Sequence, residues 1–79
     1  MSSDAPSLDE ILALAAEILE VPEVTASDNW FAVGGDSFGA LQLAMLIEET
    51  WGGVIDVNEV VEAGSLGEFH DRLVELVQR

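Results

Sequence analysis

Trp30-Phe31-Ala32-Val33-Gly34-Gly35-Asp36-Ser37-Phe38-Gly39-Ala40-Leu41 runs from a loop with two aromatics, through a double glycine, into an apolar helix. Asp36 is a good N-cap, because its carboxylate can accept from the unpaired backbone N–H groups of a first helical turn. That sets Ser37 on the first turn with its hydroxyl near the surface. Gly34 and Gly35 lack a Cβ, so they permit a tight turn and leave space beside that hydroxyl. A phosphate carried on Ser37 would face the positive end of the helix dipole and free N–H donors. The plainer reading of Gly-Gly-Asp-Ser is an ordinary turn and cap.

Outward from this stretch the chain reads as helix. Upstream, Ser7-Leu8-Asp9-Glu10 has the pattern of a capping box. Leu8, Ile11, Leu12, Ala15, Ile18 and Leu19 then recur at helical spacing, and Pro22 disfavours helix at Val21. Downstream, Gly52 and Gly53 stop the helix that begins at Asp36. Asp56-Val57-Asn58-Glu59 and Ser65-Leu66-Gly67-Glu68 are two further cap patterns, with Val57, Val60, Val61 and then Leu66, Phe69, Leu73, Leu76 turned inward. The expectation is an all-α fold, a small bundle of three longer helices and one short one. Its helices fall at about 7–20, 36–51, 57–62 and 65–78, after a disordered lead over 1–6 and within a single domain over 7–79. The long segment between the first two helices has no period. Val24, Trp30, Phe31 and Val33 are expected to pin it by packing over the helices.

Composition narrows the function. Sixteen acidic residues face two arginines, Arg72 and Arg79, with no lysine, for a net charge of −14. Such a field repels nucleic acid and anionic membranes and attracts basic protein surfaces. There is no cysteine, and no apolar run approaches the roughly 20 residues of a membrane span. The N-terminus lacks a signal sequence, so the protein is expected to be soluble and cytoplasmic. As an enzyme it lacks parts. His70 is its one histidine, and a serine–histidine pair would need an orienting acid and direct contact. Asp56-Val57-Asn58 begins like a calcium loop, but Val60 and Val61 occupy the fifth and sixth places, so no metal site is expected.

The stretch around Ser37 resembles the attachment site of the acyl and peptidyl carrier protein family, which bears a phosphopantetheine arm on the serine of Gly-Gly-Asp-Ser or Gly-x-Asp-Ser. Here that is Gly34-Gly35-Asp36-Ser37, and with Asn29-Trp30-Phe31 before it the match is more similar to the peptidyl, or thiolation, branch. The likeness extends from Asp28 to Leu73. Trp51 and Gly52 close the second helix, and Ile55, Val57 and Gly64-Ser65 stand at family positions. Phe38, where leucine or isoleucine is usual, and Asp56, where proline is common, depart from the pattern. The resemblance implies a non-catalytic carrier with 4′-phosphopantetheine covalently on Ser37, placed there by a separate phosphopantetheinyl transferase. Asp36 and Gly35 flank the arm in that reading, and Asp36 can face the transferase's magnesium. The carrier would receive an acyl or aminoacyl group from an adenylation or acyltransferase enzyme. It would then present the thioester to condensation or tailoring enzymes of non-ribosomal peptide or related biosynthesis. The short flanks and the acidity suit a free-standing, monomeric peptidyl carrier. The alternatives are a discrete acyl carrier of polyketide or fatty-acid type, and a non-covalent acidic helical adaptor.

The second helix is apolar on two sides. Ala40, Leu41, Ala44, Ile47 and Trp51 form one stripe, with Leu43 beside it, and this stripe is expected to be core. Phe38, Gln42, Met45 and Glu49 fall on another side with Leu46 at its margin, where a one-sided helix should be polar. These five are the expected partner surface, with Asp36, Glu48 and Glu49 steering basic partners. The bland alternative has the long loop folding over Phe38 as core. Gly39, at the third helical position, breaks a stability rule and reads as functional or as a close-approach glycine.

Overall fold

The first helix, α1 (Leu8–Leu19), starts at a closed capping box. Ser7 Oγ accepts from the Glu10 N–H at 3.1 Å, and the Glu10 carboxylate accepts from the Ser7 N–H at 2.9 Å. It ends without a glycine. Glu20 takes the left-handed conformation, φ 59°, and the Glu20 and Val21 N–H groups fold back onto the Ala16 and Glu17 carbonyls. Three further helices follow, α2 (Ser37–Trp51), α3 (Val57–Glu62) and α4 (Leu66–Val77). The computed structural model describes residues 6–52 and 54–77, and no strand occurs among them. Of the expected lead, residues 1–5 lie outside the described residues and Pro6 is buried.

The helices close a ring. α1 packs against α2 and α4, and α3 packs against the same two, while the backbones of α2 and α4 stay farther apart across the shared core. The core inside is wholly apolar: Ile11 and Ala15 from α1, Ala40, Leu43, Ala44 and Ile47 from α2, Val60 from α3, and Leu66, Phe69 and Leu73 from α4. α2 turns a little differently from expectation. Leu43 is fully buried and Leu41 is 45 % exposed. The inward face of α2 is thus centred on Ala40, Leu43, Ala44 and Ile47, and Leu41 falls outside it.

The loop between α1 and α2 fills the remaining space. Val24 and Trp30 are buried, and Val33 is half-buried against the core. Phe31 is 46 % exposed instead of packed. The reason is local. Residues 30–34 coil through successive turns, and Asn29 Oδ1 accepts from the N–H groups of both Phe31 and Ala32. With Trp30 turned in, its neighbour turns out.

The same loop supplies what the start of α4 lacks. A helix leaves its first N–H groups without intrahelical partners. Here the Leu66 N–H donates to the Asp28 carbonyl at 2.9 Å and the Gly67 N–H to the Ala26 carbonyl at 2.8 Å. Glycine at 67 eases this approach, since a Cβ there would lie 3.2 Å from the Ala26 oxygen, a tight contact. Asn29 Nδ2 donates to the Gly64 carbonyl at 3.1 Å. The cap of α4 is correspondingly shifted. Ser65 Oγ accepts from the Glu68 N–H, but the Glu68 carboxylate accepts from Gly64, one residue before the box position. In α3, Asp56 accepts from the Asn58 N–H, and Glu59 pairs with Arg72 of α4 at 2.9 Å instead of closing a box. That hydrogen bond and the Glu59 charge hold the Arg72 guanidinium above its ordinary pKa.

Asn29 therefore joins two backbone segments through one side chain. Asn29→Ala should lower stability by about 1–3 kcal/mol, because it leaves carbonyls and amide groups without partners. Phe31→Ala should lower it by under about 1 kcal/mol. Urea melts of the two variants check the pair, and equal losses would contradict the assigned roles.

Candidate functional site

The turn into α2 is built over the indole of Trp30. Trp30 is 2 % exposed, and its Nε1–H donates to the Asp36 carbonyl at 2.9 Å. The Gly35 N–H donates back to the Trp30 carbonyl at 2.9 Å, and Gly34 to that of Phe31 at 3.1 Å. Gly34 has φ +103°, which side chains other than glycine rarely adopt. Gly35 is required by space: a Cβ there would overlap the indole at Cε2 and Nε1. The opening expected beside the serine thus belongs to Gly34, around which nothing lies within 4 Å of a built Cβ. Gly35 is the seat of the tryptophan.

Asp36 is the N-cap. One carboxylate oxygen accepts from the Gly39 N–H at 2.8 Å, and its carbonyl accepts from Ala40 at 2.9 Å as well as from the indole. Gly39 is buried, and a Cβ there would stand 3.0 Å from Trp30 Cζ2 and 3.4 Å from Ile18 Cγ2. Its glycine is explained by close approach of the indole and α1, and no separate functional role is needed. Ser37 itself is exposed. The N–H groups of Ser37 and Phe38 stand at the helix start, where no carbonyl precedes them along the helix. An exposed hydroxyl beside those donors fits a phosphate ester, whose negative charge the helix N-terminus favours.

Beyond Ser37, the outer face of α2 is apolar. Phe38 is 69 % exposed, Met45 50 % and Leu41 45 %, at i, i+7 and i+3 of one stripe. Gln42 and Glu49 are exposed beside them and Leu46 is half-buried. The loop does not fold over Phe38. Leu41 is the member that the sequence reading assigned to the core. Its spacing from Phe38 and Met45 was the available signal, masked because it also fits the inner stripe. The Glu48 carboxylate also accepts from the Ile55 N–H at 2.6 Å, which holds the α2–α3 connection and fixes that charge in place. His70 is half-buried on α4 with its Nδ1 3.9 Å from the Asp71 carboxylate, and forms no hydrogen bond with Ser37.

Three comparisons bear on this arrangement. A family model described as "phosphopantetheine attachment site" matches residues 9–73. No curated protein matches the sequence. Among solved structures the fold is similar to that of BlmI, a type-II acyl carrier protein from Streptomyces verticillus involved in bleomycin biosynthesis. That likeness has a TM-score of 0.84 at 21 % identity, over 89 % of this chain and 84 % of BlmI. At that identity the common feature is the fold.

Substitutions should separate the two kinds of residue. Gly35→Ala should cost about 1–3 kcal/mol through overpacking on the indole. Gly39→Ala should cost less, because alanine regains about 1 kcal/mol of helix propensity. Phe38→Ala should cost under about 1 kcal/mol. Denaturant midpoints measured side by side give the order, and a large loss for Phe38→Ala would mean that the ring is held by the fold.

Proposed function

This chain belongs to the phosphopantetheine attachment family, whose members are non-catalytic carriers with a covalent 4′-phosphopantetheine, and from that premise we propose that Ser37 bears the arm and that the protein is a peptidyl-type carrier of natural-product biosynthesis. The observation that carries the site assignment is the exposed Ser37 at the capped start of α2, directly after Gly34-Gly35-Asp36. A phosphopantetheinyl transferase uses the Ser37 hydroxyl as nucleophile toward the β-phosphate of coenzyme A. The new P–O bond replaces the bridging one, 3′,5′-ADP leaves, and the transferase takes the serine proton. When bound, the arm supplies a thiol that holds an acyl or aminoacyl group as a thioester. The chain's own residues do the rest. Asp36 keeps the first turn closed through Gly39, and Trp30 holds the turn at a fixed height above the core.

The apolar face formed by Phe38, Leu41 and Met45, with Gln42, Leu46 and Glu49 around it, is the surface on which partner enzymes would rest. Methionine suits contacts that must serve several shapes. The acidic field of −14 would bring basic partners to it. Those partners are an adenylation or acyltransferase enzyme and then condensation or tailoring enzymes, met by a monomer working in the cytoplasm. No described helix is long and apolar enough to cross a membrane. The peptidyl assignment draws on the double glycine after Asn29-Trp30-Phe31. A second reading, a discrete acyl carrier, draws on the likeness to BlmI. Loading the arm-bearing protein with adenylation enzymes and amino acids, against acyltransferases and malonyl groups, decides between them by mass.

Two outcomes test the core of this reading. Ser37→Ala should fold with stability within about 0.5 kcal/mol of the parent, yet gain no mass with transferase and coenzyme A. Modification of that variant at any other residue would refute the assignment. The loading rate of the parent protein should fall as salt shortens the Debye length from about 30 to 8 Å. A rate indifferent to salt would remove the steering role of the acidic surface.

A further inference from the structure

The peptide that joins Asp36 to Ser37 is held from two directions. Its carbonyl accepts from the Ala40 N–H at 2.9 Å and from the Trp30 Nε1–H at 2.9 Å. The first bond belongs to the helix ladder and forms at any helix start. The second comes from the core, through an indole that is 2 % exposed and shut in by Gly35 and Gly39. A carbonyl oxygen has two lone pairs, so both donors are received at once.

A trans peptide is planar, and its N–H is directed opposite to its C=O. Fixing the Asp36 carbonyl therefore fixes the Ser37 N–H and the Cα from which the Ser37 hydroxyl projects. That N–H stands at the helix start without an intrahelical partner, beside the exposed hydroxyl. The indole bond also acts on it electrically. Hydrogen bonds in series polarise one another, so a donor on the carbonyl side makes the amide on the other side a stronger donor.

We propose that Trp30 is a positioning residue for arm transfer, acting through the Asp36–Ser37 peptide without touching the reacting atoms. The proposal rests on the reading that Ser37 bears the arm. In that transfer Ser37 Oγ bonds to the β-phosphorus of coenzyme A, and the bridging P–O bond breaks. 3′,5′-ADP leaves with the electron pair, and the transferase takes the hydroxyl proton. A nucleophile held in the right direction reacts faster, because less freedom is lost on the way to the transition state. The polarised Ser37 N–H also faces the negative charge of the transferring phosphate at the helix N-terminus. The effect falls on the reaction and not on docking, since the buried indole offers the transferase almost no surface.

Two variants separate the N–H from the ring that carries it. Trp30→Phe removes the N–H and shortens the ring. Replacing Trp30 by β-(3-benzothienyl)alanine keeps the two-ring shape and puts sulfur where the N–H was. Val60→Ala, a core truncation on α3, controls for lost stability alone. Each protein is reacted in single turnover with excess transferase and coenzyme A and followed by intact mass, and 15N spectra are recorded before the reaction. Both Trp30 variants should show a maximal transfer rate lower by about three- to tenfold. The transferase concentration that gives half the maximal rate should stay within about twofold of the parent's. The Ser37 amide signal should move in both, and Val60→Ala should transfer at the parent rate. An unchanged maximal rate in the benzothienyl protein would overturn the role of Trp30 and leave Ser37 as the attachment site. An equal fall in Val60→Ala, or a Ser37 amide signal that stays in place, would overturn it in the same way. A parent protein that gains no arm on Ser37 would overturn the Ser37 reading itself, and the role of Trp30 with it.

Discussion

The indole of Trp30 is the contact on which the rest of the molecule depends. It lies between a turn and a helix, and each neighbour has given up a side chain to admit it. Gly35 and Gly39 are both closed against the ring, and the Asp36 carbonyl accepts its Nε1–H at 2.9 Å. A buried indole costs free energy unless its N–H finds an acceptor. The acceptor here is the carbonyl of the cap residue, so burying the ring and positioning the cap are one event. Asp36 then turns its side chain onto Gly39, and Ser37 follows at the surface. The display of the serine is thus set from beneath, by core packing, and leaves its solvent side unencumbered.

The rest of the loop acts in the same economical way on a second helix. Asp28 and Ala26 accept from the first turn of α4, and Asn29 reaches the Gly64 carbonyl. Six consecutive residues, from Thr25 to Trp30, contribute to these bonds or to turns of their own. A segment without regular structure is therefore a set of caps for its neighbours. This explains how a chain with a small apolar core keeps four helices together: polar groups at helix ends are satisfied by the loop, and the ring of helices needs no polar side chain inside it.

Much of this could be read from the residues alone, and the failures have particular causes. The all-α class followed from helical spacing and capping patterns, and the box at Ser7 and Glu10 is formed as its pattern suggests. The Gly-Gly-Asp-Ser turn was legible because each residue type has a specific conformational use. Phe31 and Leu41 were misplaced for one shared reason. Apolar character says that a residue can be buried, whereas its side of a turn or helix depends on where the neighbouring element leans. Gly39 broke a rule of helix propensity, and the explanation lay in Trp30 and Ile18, which are distant in sequence from any pattern centred on the helix. The link from Asn29 to Gly64 had no signal at all, because nothing in an asparagine names the carbonyl that it will meet.

The two anchors of the loop differ in the length of chain that each must close. Trp30 and Asp36 are 6 residues apart, and Asn29 and Gly64 are 35 apart. Closure entropy grows with the logarithm of loop length, so the longer link costs about 1.6 kcal/mol more to bring together. Releasing α4 from the loop recovers that larger entropy and breaks none of the short-range bonds among residues 29–36. The turn that displays the serine is thus held by the shorter closure, whereas the tie to α4 stands only as long as the packing of Leu66, Phe69 and Leu73 keeps that helix in place.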